Sequence, residues 1–182
     1  MASVSQRATT QESGAERLSA TDLLLDPQGT IRSLEHRIYG LLDATVVVQD
    51  PDFLVMELVF CPWEGPAAEG YPVERVRIAA WSSGRIEAVP LWTDSRPWLH
   101  RFPEEYSAIR QLCLWDPWDP PELRWDESDG LEAYVHIVHR HLQAEEYWRR
   151  TNRWPVEDAP HGEGPHPIRS VMMKTAAGML VT

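Results

Sequence analysis

Cys113 lies between two leucines in Leu112-Cys113-Leu114-Trp115-Asp116-Pro117-Trp118-Asp119-Pro120. A cysteine thiolate can attack an acyl carbon, hold the acyl group and release it to a second nucleophile. The bland reading of Leu-Cys-Leu is a buried strand, because free cysteine is among the most buried residue types. The surroundings favour a reachable loop. His100-Arg101-Phe102-Pro103 begins thirteen positions before the cysteine, and a Trp118-Asp119-Pro120 turn follows it. The acids Asp116, Asp119, Glu122 and Asp126 would raise the thiol pKa by like-charge repulsion if they lie close, or else they are a solvated loop. Cys61, just before Pro62, reads as core or strand edge.

Three histidines, His136, His139 and His141, fall on a candidate helix. Zinc needs about three protein ligands. Spacings of three and two along a helix do not gather all three rings, so the trio reads as a solvated helix face, and neither metal nor cofactor is expected. His161 and His166, in a Pro/Gly-rich stretch, are candidates to pair with Cys113 as a cysteine–histidine couple.

The elements that must carry these residues are legible from periodicity. Residues 1–20 are polar, rich in Ser, Thr, Gln and Ala, and without apolar period; they read as a disordered tail. Between Leu23 and Leu42, Ile31, Leu34, Ile38, Leu41 and Leu42 recur at helical spacing, which predicts a helix of about 12 residues opened by Asp26-Pro27. Strands are predicted at Thr45–Gln49, Phe53–Phe60, Val73–Ile78 and Arg85–Trp92. The stretch Thr93–Ser128 is irregular, with five prolines and with Trp98, Trp115, Trp118 and Trp125, which should pin it to the sheet. Long irregular segments inside compact domains are uncommon and often functional. A helix follows from Leu131 to Thr151, with Leu131, Tyr134, Val135, Val138, Leu142 and Tyr147 as its apolar line. Ser170–Met179 reads as a further short helix.

Composition narrows the function classes. The chain has 182 residues, 43% hydrophobic, with net charge −11. No basic face suited to nucleic acid is present. No run of about 18 apolar residues exists, and the N-terminus lacks a signal-like apolar stretch, so no membrane association and a cytoplasmic location are expected. Lys174 is the one lysine among 17 basic residues. Arginine-favouring codons explain that, and so would an acyl-transfer enzyme that avoids modifying itself.

The order helix, four-strand meander, irregular segment with Cys113-Leu114 and then Trp118-Asp119-Pro120, long helix, and finally Thr151-Asn152-Arg153-Trp154-Pro155 with Ala159-Pro160-His161-Gly162 resembles the ubiquitin-conjugating enzymes. The likeness is greatest to their divergent bacterial members and spans residues 30–165. The resemblance implies an α+β fold, a four-stranded antiparallel meander packed against helices, over residues 21–168, with 169–182 a tail or short helix. It implies that Cys113 accepts a ubiquitin-like modifier as a thioester from an adenylating activating enzyme and passes it to an amine acceptor, such as a protein lysine. Trp118 and Asp119 would support the loop. Such bacterial proteins are usually encoded beside a modifier, an activating enzyme and a metal-dependent peptidase, some in anti-phage systems. The family's His-Pro-Asn places an asparagine at the oxyanion; here the segment His100–Pro103 has none. His100 then either supplies that hydrogen bond or holds the loop. The alternatives are a non-catalytic scaffold of the same fold, binding a modifier or partner, and a cysteine hydrolase using His161 or His166.

Overall fold

The computed structural model describes residues 17–91, 96–102, 110–115, 119, 121 and 124–155. Two short helices lead, α1 (Ala20–Leu25) and α2 (Pro27–Arg37). Four strands follow, β1 (Leu41–Gln49), β2 (Phe53–Phe60), β3 (Glu74–Trp81) and β4 (Ile86–Pro90), with α3 (Glu64–Ala68) between β2 and β3. A 3-10 turn (Glu127–Asp129) then opens α4 (Leu131–Thr151). The sheet is an antiparallel meander in the order β1-β2-β3-β4. The expected α+β class with a four-stranded antiparallel sheet is what the chain adopts.

Alternation explains the layers. In β2, Leu54, Met56, Leu58 and Phe60 point inward; in β3, Val76, Ile78 and Ala80 do, while Arg75 and Arg77 face out beside Glu57. One inward row runs across the sheet as Val46, Met56, Ile78 and Ala88. The helices cover this face. Leu23, Ile31 and Leu34 come from α1 and α2, and Leu131, Tyr134, Val135, Val138 and Leu142 from α4, all in one core.

The predicted helix of about 12 residues opened by Asp26-Pro27 is α2, 11 residues long, with the separate α1 before it; the apolar spacing that runs on to Leu42 does not continue the helix. Asp26 caps α2 by accepting from Gly29 N–H, with Pro27 at the first helical position. Leu41 and Leu42 belong to β1, because Gly40 turns the chain at φ 86°. A Cβ at Gly40 would lie 2.8 Å from His139 Cε1. Tyr147, placed on the apolar line of α4, is 36% exposed.

The ordered body also begins before residue 20. Ser19 and Asp22 form a reciprocal cap on α1. Leu131 N–H donates to Leu18 O at 2.7 Å, Leu18 N–H donates to Glu132, and Ala20 is buried. Deleting residues 1–20 therefore lowers the melting temperature by more than about 5 °C, as the loss of one cap and an apolar contact implies. Thermal denaturation of the shortened chain checks this.

Candidate active site

Cys113 is held through its backbone from two sides. Residues 100–102 and 111–113 run antiparallel: Phe102 N–H donates to Gln111 O and Cys113 N–H donates to His100 O, both at 2.9 Å, around an Arg101–Leu112 bridge. Arg101 Nε–H closes the far end on Arg110 O, where Arg110 takes φ 53°. On the other side Leu112 N–H donates to Ala88 O of β4 at 2.8 Å, so the cysteine segment extends the inward row of the sheet. Leu112 is buried while Cys113 is half-buried. The thiol donates to Trp115 O at 3.7 Å. The sheet and its ladder fix the backbone and leave the sulfur at the margin of the core.

The His100 side of this ladder rests on α4. Both oxygens of Glu145 accept from the loop, Oε2 from Leu99 N–H at 3.0 Å and Oε1 from His100 N–H at 2.6 Å. His141 Nε2 lies 3.2 Å from His100 O and 3.6 Å from Glu145 Oε1. Facing two acceptors, that nitrogen carries the proton. Arg149 reaches Glu145, Glu146 and Glu74, and it stacks on the Trp98 ring. Glu74 and Glu145 are wholly buried, as unpaired charges never could be at tolerable cost. Burial pushes the Glu145 carboxyl up, but His141 and the N–H groups of Leu99 and His100 outweigh it and hold the group below its usual value.

The structure joins His100 to Cys113 by main chain. The His100 ring is 5% exposed and packs on Trp154 at 4.1 Å and on His141. Asp119 is half-buried; Trp118, Asp116 and Glu122 lie outside the described residues, as do His161, His166 and the predicted helix Ser170–Met179. Asp126 is engaged elsewhere: it caps the 3-10 turn, accepting from Ser128, which lowers its pKa. Trp115 and Trp125 meet the ring of Tyr134 of α4 edge-on, and with Trp98 they pack against the core that the sheet and helices share.

The histidine trio is not a solvated face. His136 is exposed, but His139 and His141 are buried, because α4 is covered along its C-terminal half by the Leu99–His100 segment and by Phe60, Cys61 and Trp63. The signal in the sequence was the four-residue spacing His141, Glu145, Arg149, which lines up one stripe of complementary charge. Among the described residues no cluster of three or more His, Cys, Asp and Glu is placed to hold a metal ion. No helix among them is long and apolar enough to cross a membrane.

His139 predicts an acid response. Its Nε2 is 3.0 Å from Cys61 O, and burial, with His136 adding to it, drops its pKa from 6.5 to about 4. The unfolded chain takes up that proton at higher pH than the fold does. Stability is therefore constant above about pH 6.5 and declines from there to about pH 4, by on the order of 3 kcal/mol. Urea midpoints at pH 7 and pH 4.5 check this, and His139→Leu should flatten the slope between them.

No protein-family model matches the chain, and no curated protein sequence matches it.

Proposed function

We propose that the protein is a ubiquitin-conjugating-like carrier with Cys113 as its acyl-bearing residue. The observation that carries the reading is the bond from Cys113 N–H to His100 O on the flank of the meander. It unites the cysteine segment with the His-x-x-Pro segment and leaves Cys113 half-buried. The order of elements, α2, four strands, cysteine segment, then α4, agrees with the order in that family.

The step balances simply. The Cys113 thiolate attacks the carbonyl carbon of the modifier's thioester on the activating enzyme. A new carbon–sulfur bond forms, the old one breaks, and the activating enzyme's thiolate leaves. An acceptor amine then attacks the same carbon and Cys113 departs as thiolate, with the amine proton going to solvent. The buried His100 ring favours its role as a holder of the loop over that of an oxyanion donor. That burial, with no asparagine in the segment His100–Pro103, also favours a non-catalytic scaffold of the same fold as the second reading.

One experiment separates the two. The protein is incubated with ATP and with an adenylating enzyme and a glycine-ended modifier encoded beside it. A carrier forms an adduct that thiol reductant cleaves; a scaffold binds the modifier without one. An activating enzyme visibly charged with modifier, and no adduct on this chain, overturns the carrier reading.

A further inference from the structure

The geometry points to Glu145 of α4 as the positioning residue of the cysteine loop, acting on Cys113 through the His100 peptide. The inference rests on the carrier reading for its purpose, but its test uses no modifier.

Glu145 is 0% exposed on a helix whose neighbouring inward residues are Val138 and Leu142. A leucine there would leave the N–H groups of Leu99 and His100 without their acceptor and take a carboxylate from buried Arg149, which is strongly destabilising. The carboxylate supplies something leucine cannot. Its two oxygens take two consecutive backbone N–H groups, Leu99 and His100. Two such bonds fix the plane and direction of the peptide between them. The next carbonyl, His100 O, is thereby aimed at Cys113 N–H at 2.9 Å, and His141 Nε2–H steadies the same oxygen. A continuous path runs from α4 to the cysteine backbone with no loop side chain in it. It needs two acceptors on one side chain. Glutamine has the shape but would turn its NH2 toward one of the two N–H donors. Arg149 supplies countercharge to the carboxylate, and His141 Nε2 lies 3.6 Å from its Oε1.

The test compares the wild-type chain with Glu145→Gln. Both thiols are alkylated with iodoacetamide across a range of pH, and the melting temperature is recorded. Cys61 is the internal reference: its N–H is bonded to Gly40 O and its carbonyl meets His139, away from Glu145. In a folded Glu145→Gln chain, Cys113 should react about tenfold faster, as expected when a charge-assisted bond holding a loop closed is lost, with a displaced pH profile. Cys61 should keep its rate. No increase at Cys113, or an equal increase at both cysteines, overturns the inference. Should Glu145→Gln fail to fold, amide hydrogen exchange on the wild-type chain decides. Leu99, His100 and Cys113 amides should exchange only through the opening that releases α4; exchange through a smaller opening while α4 stays protected overturns it. The carrier reading fails separately, by absence of the reductant-cleavable adduct.

Discussion

Cys113→Ala abolishes the reductant-sensitive adduct while leaving a folded protein, and Cys113→Ser leaves at most an adduct that reductant cannot cleave. The expectation follows from where the sulfur sits. The segment is held by backbone bonds, Cys113 N–H to His100 O and Leu112 N–H to Ala88 O, that alanine and serine preserve. Folding is therefore nearly indifferent to the side chain, and loading depends on it wholly. A serine hydroxyl stays protonated at neutral pH and attacks slowly, giving an oxyester that thiols do not exchange. Cys61→Ala should load normally, since Cys61 lies at the end of β2 beside His139. Gel mobility with and without reductant reads all three variants. An adduct that persists in Cys113→Ala is decisive against this site.

Val138→Asp is the largest expected effect on the fold. Val138 is 0% exposed in the one core shared by α1, α2, α4 and the sheet. An aspartate there is a charge without a partner, costing about 4 kcal/mol or more. That is a large share of the roughly 5–15 kcal/mol that stabilises a whole domain. Tyr147→Asp, on the same helix, should cost clearly less than Val138→Asp, because Tyr147 is 36% exposed where Val138 is 0%. Urea denaturation of the pair tests which face of α4 is buried. Equal stability of the two variants would mean that the helix packs by another face.

The strands were legible because one face is buried and the other is not, so Val73–Ile78 and Phe53–Phe60 alternate as a half-covered sheet must. α4 was legible for the same reason at period 3.6, and Asp26-Pro27 announced α2. What periodicity misses is polar burial. It counts His139, His141 and Glu145 as solvent-facing, whereas here they are enclosed and paired with each other or with backbone. The early start of the body was written in Ser19-Ala20-Thr21-Asp22, a reciprocal cap that a reading of the tail by composition passes over. At the candidate site, the pairing of His100 with Cys113 was legible as spacing. Its nature was not: a main-chain bond leaves no mark on side-chain identity, and only Glu145, 32 residues further on, betrays what holds it.

Leu112 N–H donates to Ala88 O on the β4 margin, and among the described residues no strand pairs with the outer side of β1. That strand carries Leu42, Val47 and Val48 in solvent, a composition that invites a second chain to add itself as another strand. Two register breaks, between Leu41 and Asp43 and between Val46 and Val48, interrupt the ladder there. An incoming strand would find its partners out of step within a few residues. The same irregularities that look like imperfections of the sheet thus act as protection against self-association, and deleting Val47, which removes the second of them, should raise the protein's tendency to aggregate.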